Sequence, residues 1–257
     1  MRITGEGIFG PPRDHDEAIR VLRRAGELDV NFIDTADSYG PNVSEELIAE
    51  ALYPYPPGLV IATKGGLVRP GPGQWPADGR PQHLREALEG SLRRLRVGRI
   101  DLYQWHRPDP NVPFEESLGA IAEFRREGKV RHVGLSNVTV EQLHAAQKIV
   151  PIVSVQNRYN VNDRSSEDLL QACEREGIAF IPWAPVGGVT LVQRREIDRL
   201  AEKYHATAAQ INLAWLLQHS PVMLPIPGTS KVKHLEENVA AAAIRVEPND
   251  VKTLERA

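Results

Sequence analysis

Phe32-Ile33-Asp34-Thr35-Ala36-Asp37-Ser38-Tyr39-Gly40 reads as a buried strand that ends on an acid and passes into a turn carrying a tyrosine. Two later runs end in the same manner. Leu59-Val60-Ile61-Ala62-Thr63 leads into Lys64, and Asp101-Leu102-Tyr103-Gln104-Trp105 leads into His106. Side chains alternate along a strand, which puts Phe32 with Asp34, Val60 and Ala62 with Lys64, and Leu102 and Gln104 with His106. If these are consecutive parallel strands, neighbours lie about 4.8 Å apart. Their carboxyl ends then gather Asp34, Lys64 and His106, with Tyr39 arching over them. Taken singly, each residue has an ordinary structural explanation: a capping Asp, a solvated Lys, a core His. Three successive strands ending on ionisable side chains point instead to a shared active site.

Around this stretch the chain has 257 residues, a length that suits one (β/α) barrel domain spanning 1–257. A net charge of −3 gives no reason to expect nucleic acid or an anionic membrane as partner. The single cysteine, Cys173, excludes an internal disulfide and any thiolate metal cluster, and it falls in the apolar pattern of a helix. No apolar run reaches membrane-spanning length, and Met1-Arg2-Ile3-Thr4 lacks a signal-peptide core, so a cytoplasmic protein is expected.

Strands and helices alternate through the whole sequence. Asp14 opens a helix with Glu17 as its capping-box partner, and Ser44 caps a second that ends before Pro54. Gly65 to Gly79 is a Gly- and Pro-rich loop, too long for a mere connector, and its Gln74 and Trp75 are expected in the substrate wall. Helices follow near 82–95 and 114–127, then a strand at Val130–Leu135 and a helix boxed by Thr139 and Gln142. Val153–Gln156, Ile178–Pro182 and Val222–Ile226 read as further strands. Helices are expected at Ser165–Glu176, Arg195–Tyr204, Ala208–Leu217 (capped by Thr207 with Gln210) and Lys231–Ala241, the last long one. His132, His144, His205 and His219 have no evident partners and read as surface or capping residues. The alternation predicts a parallel (β/α)8 barrel rather than an open doubly wound sheet, since no Gly-rich dinucleotide fingerprint follows an early strand.

Asp34–Gly40, Thr63-Lys64 and Leu102–His106 resemble the catalytic segments of the aldo-keto reductases. Gly134-Leu135-Ser136-Asn137, Val155–Asn160 and Ile226–Lys231 resemble that family's cofactor segments, in the same order. Gly7–Asp14 and Tyr39-Gly40-Pro41 are similar to a bacterial branch that includes pyridoxal reductases. The resemblance implies NADPH-dependent reduction of an aldehyde, with Tyr39 as acid supported by Asp34, Lys64 and His106. It implies that Ser136, Asn137 and Gln156 clamp the nicotinamide carboxamide and that Trp183 stacks on its ring. Gly228, Thr229, Ser230 and Lys231, in a turn entering a helix, would receive phosphate.

Chemistry leads to the same roles. No side chain donates hydride, so carbonyl reduction requires a nicotinamide. Tyrosine holds its proton at neutral pH, and an adjacent ammonium favours the phenolate and lowers its pKa. Asp34 would hold Lys64 charged, and His106 would donate to the carbonyl oxygen. Many family members carry a basic residue where Gly228 stands and arginine where His234 stands. Lys231 and Lys233 remain for the 2′-phosphate, and Glu237 and Asn238 for the adenine, so NADPH with weakened discrimination against NADH is expected.

Two other readings compete. One is a nicotinamide-nucleotide-binding regulatory subunit on the same barrel, and the other is a metal-dependent hydrolase. The hydrolase would need more His or carboxylates at strand ends than Asp34 and His106, so no metal site is expected. A small aromatic aldehyde such as pyridoxal is the expected substrate; the oligomeric state is not legible. Finally, a barrel needs eight strands, and strands starting at Val30, Leu59, Asp101, Val130, Ile152, Ile178 and Val222 make seven. Met1-Arg2-Ile3-Thr4-Gly5 resembles the loop after the first strand. The first strand is therefore expected to be missing, by truncation or a late start, leaving a barrel that is incomplete or patched by a neighbouring chain.

Overall fold

Alternation along the three site strands is borne out in a computed structural model that describes residues 2–185 and 191–256. The chain falls into two compact units, Met1–Ser154 with Gly228–Val232, and Val155–Pro227 with Lys233–Ala257. In the first unit, α1 (His15–Glu27) precedes β1 (Phe32–Asp34), α2 (Val43–Leu52) precedes β2 (Val60–Gly65), and α3 (Pro81–Arg94) precedes β3 (Ile100–Trp105). Then come α4 (Phe114–Arg126), β4 (Val130–Ser136), α5 (Val140–Gln147) and the start of β5 (Ile152–Arg158). β1 to β4 pair in parallel in chain order, with Asp34 opposite Ala62, Lys64 opposite Gln104, and Gln104 opposite Gly134. Gly134 has no room for a side chain, because a Cβ there would stand 2.2 Å from Ser154 Oγ and 3.0 Å from the Gln104 side chain.

The pleat divides the residues of β3 by chemistry. Tyr103 and Trp105 are fully buried, and the Trp105 ring lies 5.1 Å from that of Phe114 on α4. Leu84 and Leu88 of α3 and Leu118, Ile121 and Phe124 of α4 are buried with them. Burying one such side chain stabilises the fold by about 1.5–3 kcal/mol. The other face of β3 is left for Leu102 and Gln104. Trp105 thus belongs to the core, as its parity in the sequence requires.

Two caps differ from the sequence expectation. Asp14 accepts from Glu17 N at 2.9 Å, but the Glu17 carboxylate is not returned to the cap. It takes the Arg20 guanidinium at 2.7 Å, a charge-assisted bond that a neutral backbone N–H does not match. Ser44 lies inside α2 rather than before it. Its hydroxyl is buried and accepts from Thr35 Oγ1 at 2.8 Å, and Asn42 is the residue that precedes the helix. The boxes at Thr139 with Gln142 and Thr207 with Gln210 are both complete.

The second unit holds the rest of β5, α6 (Glu167–Glu176), β6 (Ala179–Trp183), α7 (Leu191–Lys203) and α8 (Ala208–His219). It also holds most of α9 (Val232–Ala240), and α10 (Pro248–Arg256). Val222–Ile226 is not a full strand: it pairs in parallel with β6 through one bridge, Phe180 with Met223. Leu224 N donates to Phe180 O at 2.8 Å, and the next residue, Pro225, has no N–H to continue the ladder. Beyond the last helix expected from the sequence, Lys231–Ala241, lies α10, whose Asp250 accepts from Lys203 Nζ at 2.8 Å and from the Tyr204 hydroxyl at 2.7 Å. His219 is no surface residue. It stacks on Trp215 at 4.6 Å and shares a hydrogen bond of 2.7 Å with the Tyr159 hydroxyl. Cys173 is buried in α6, and burial pushes its thiol up to about 12.

Before α1 the described residues form a single 3-10 turn, Glu6–Ile8, and a bridge from Phe9 to Gly40; no strand precedes α1 among them. No described helix is long and apolar enough to cross a membrane.

Candidate active site

Lys64 emerges at the carboxyl end of β2 with its side chain completely buried. All three ammonium protons have acceptors: Asp34 Oδ1 at 2.6 Å, the Thr35 carbonyl at 2.8 Å and the Tyr39 hydroxyl at 3.4 Å. β1 supplies the first of these, and the turn after it supplies the other two. Gly40 makes that turn possible, with φ of 109° and no space for a Cβ, which would meet Val43 Cβ at 2.4 Å. His106 follows β3, its N–H bonded to the Gly65 carbonyl at 2.9 Å. Its ring lies edge-on to Tyr39 with centroids 5.8 Å apart. Asp34, Tyr39, Lys64 and His106 therefore meet within the first unit. Trp75 joins them from the 65–79 loop, edge-on to Tyr39 at 6.3 Å, whereas Gln74 is exposed.

Burial governs the electrostatics. Lys64 is held above its ordinary pKa: burial opposes the charge, but Asp34 and then Tyr39 more than offset it. Tyr39 is also raised, against the expectation that Lys64 would lower it. Desolvation of the phenol is the largest cause, Lys64 opposes it, and Asp34 works against Lys64. Burial thus outweighs the Lys64 ammonium, and the phenol keeps its proton. His106 is pushed well below its ordinary value, first by burial and then by Lys64 and Arg107, and is neutral at pH 7.

Three neighbours of the tetrad were not singled out in the sequence. Gln104 is fully buried and donates to Asp34 Oδ2 at 3.0 Å, filling the oxygen that Lys64 leaves. Its signal was available, because the alternation that placed Lys64 and His106 inward placed Gln104 there too. Ser38 Oγ stands 3.4 Å from His106 Nδ1. Arg69 covers the Trp75 ring at 3.4 Å. Neither of these two has a periodicity that could have announced it.

Behind the tetrad, Asp37 is buried and its Oδ1 has no hydrogen-bond partner. Burial, and next the Glu45 carboxylate, pushes its carboxyl up to about 8. A folded-state pKa above the unfolded one means the native state binds this proton more tightly. The resulting stability is complete below about pH 4 and is lost as pH rises through about 8. Asp37→Asn is therefore expected to raise Tm at pH 8 and to change it little at pH 4. Thermal unfolding at the two pH values checks this, and an equal shift at both would show that the ionisation is irrelevant.

The residues of the cofactor segments are spread over both units. In the first, Ser136 ends β4 fully buried, and Asn137 follows in the left-handed region with φ of 59°. The Asn137 amide donates to the His106 carbonyl at 3.1 Å and to Ser136 Oγ at 2.9 Å. Gly228, Thr229, Ser230 and Lys231 form the expected turn, with Lys231 N donating to Thr229 Oγ1 at 3.1 Å. The first N–H of α9, on Val232, is taken by the Glu17 carboxylate at 3.1 Å. In the second unit, Gln156 is buried in β5 and Trp183 is half-buried at the end of β6, with the Arg158 guanidinium 5.6 Å from its ring centre. On α9, His234 is exposed, Glu237 faces Lys233 at 3.8 Å, and Asn238 donates to the Pro227 carbonyl at 3.4 Å. Among the described residues no cluster of three or more His, Cys, Asp and Glu could hold a metal ion.

Parallel strands thus bring an acid, a lysine and a histidine around one buried tyrosine, a candidate site on a (β/α)-type scaffold. The chain belongs to the aldo/keto reductase family, whose model matches residues 3–257. It is 43% identical over 262 residues to pyridoxine 4-dehydrogenase of Escherichia coli, covering 99% of this chain and 91% of that protein. Among solved structures it resembles a thermostable aldo-keto reductase crystallised with the inhibitor epalrestat, at a TM-score of 0.88 and 33% identity, covering 100% of this chain and 93% of that one. It also resembles an aldo-keto reductase of Klebsiella pneumoniae in complex with NADP and acetate, at a TM-score of 0.83 and 26% identity, covering 100% and 89%. The fold class is thus the α/β, TIM-type fold of this family.

Proposed function

We propose that the chain is a single reductase domain, residues 1–257, which reduces pyridoxal or another small aromatic aldehyde with NADPH, Tyr39 giving the proton. The observation that carries this reading is the buried hydrogen-bonded series Asp34, Lys64, Tyr39. A bound nicotinamide supplies the hydride that no side chain can. Tyr39, kept protonated by burial, gives its proton to the oxygen of the carbonyl as charge develops there. Lys64, anchored by Asp34 and the Thr35 carbonyl, stabilises the phenolate left behind. His106 is neutral, and in the tautomer protonated on Nε2 its Nδ1 accepts from Ser38 Oγ, 3.4 Å away, while Nε2 donates to the same oxygen.

Each unit carries groups that suit a nicotinamide dinucleotide. In the first, Ser136 and Asn137 bring hydroxyl and amide groups suited to a carboxamide, and Lys231 offers charge for a 2′-phosphate; in the second, Gln156 brings an amide, Trp183 a ring face and Lys233 charge. Glu17 at the first N–H of α9 occupies a place that favours anions, next to Lys231. Together with glycine at 228 and histidine at 234, that carboxylate supports NADPH use with weakened discrimination against NADH. Pyridoxal as first substrate is supported by the name of the Escherichia coli relative. Cofactor oxidation followed with NADPH and with NADH across a panel of aldehydes tests the proposal. Turnover is expected with pyridoxal or a close aromatic analogue and with both cofactors. No turnover of any aldehyde would overturn the reading, and activity on other aldehydes alone would remove pyridoxal.

A further inference from the structure

Arg69 is buried, at 8% exposure, yet no carboxylate pairs with it among the described residues. Its terminal nitrogens donate to two carbonyls, Ser38 O at 3.4 Å and Gly7 O at 3.1 Å, and its Nε is buried with no partner. The guanidinium lies 3.4 Å from the centre of the Trp75 ring and 5.6 Å from that of Phe9. Desolvation lowers its pKa, with no acid to counter it. A strut between two carbonyls needs donors but not a charge, and stacking on an aromatic ring compensates a buried cation only in part. The position of Arg69 is close to the chemistry: the Trp75 ring that it covers is edge-on to Tyr39, and Ser38, to which it is bonded, adjoins Tyr39. Arg69 is therefore one side chain removed from Tyr39, through Trp75 and through Ser38.

We infer that Arg69 is a specificity-determining residue that selects aldehydes whose ring carries an anionic oxygen, a carboxylate or a phenolate. The inference rests on the proposed aldehyde reduction at Tyr39. Its test compares 4-formylbenzoate with its neutral methyl ester as substrates. The wild type is expected to favour the anion in kcat/KM by tenfold or more, Arg69→Gln to lose that ratio, and Arg69→Lys to keep part of it. Calorimetric binding of 4-(hydroxymethyl)benzoate and its methyl ester needs no turnover. There the anion should bind more tightly to the wild type, by a margin that Arg69→Gln abolishes. If Arg69→Gln does not fold, the wild-type ratios and the Arg69→Lys ratios still decide. Equal efficiency and equal binding for anion and ester in the wild type, or a preference that Arg69→Gln leaves intact, would overturn the inference with the reductase reading standing. Anion binding that depends on Arg69, without reduction of either aldehyde, would sustain the inference and remove the reductase reading.

Discussion

Tyr39→Phe is expected to lower kcat for aldehyde reduction by about 10²–10⁴-fold, the range typical of losing a positioned general acid. Phenylalanine keeps the ring that lies edge-on to Trp75 and His106, so the wall of the site is conserved and only the hydroxyl is lost. Lys64 loses its weakest acceptor, at 3.4 Å, and retains Asp34 and the Thr35 carbonyl. Binding of NADPH, read by fluorescence quenching, should therefore be largely intact, separating a chemical defect from a folding one. The raised pKa adds a second signature. Alcohol oxidation needs the phenolate, so its rate in the wild type should climb as pH rises towards that pKa, whereas reduction should hold across neutral pH and fall only above it. Unchanged turnover in Tyr39→Phe would mean that another group donates the proton.

Much of this arrangement is legible in the sequence because a strand converts spacing into direction. Asp34, Lys64 and His106 each sit at the end of an apolar run, and period two alone predicts that they face the same way as Gln104. The register, with Lys64 opposite Gln104, follows from the parallel pairing. What was lost depends on groups distant in sequence. The net direction of the Tyr39 shift is set by how deeply the phenol is buried, which no motif encodes. Ser44 resembles a cap until Thr35 claims its hydroxyl. Glu17 resembles a capping-box partner until Arg20 and the first N–H of α9 compete for it. His219 looks solitary because Trp215, on which it stacks, is one helix turn away and Tyr159, which shares its hydrogen bond, is three elements away. Arg69 is illegible for the opposite reason: its meaning lies in the lack of a paired acid among the described residues.

The second large effect belongs to Lys64→Met. Methionine fills most of the lysine stem but removes a buried ammonium that satisfies three acceptors. Asp34 is then left with its side chain 5% exposed and Gln104 as its remaining donor among these partners. Breaking a buried pair from one side costs about 3–5 kcal/mol, because the surviving charge has lost its compensation. Turnover should be lost together with stability, since nothing then stabilises the phenolate. Adding Asp34→Asn distinguishes this cause from poor packing, because it removes the buried charge that Lys64 balanced while keeping the shape. Read by urea unfolding, the double variant should recover most of the stability lost in Lys64→Met and none of the activity. A deficit untouched by Asp34→Asn would place the loss in packing, and the Asp34–Lys64 pair would then be no more than a filled space beneath Tyr39.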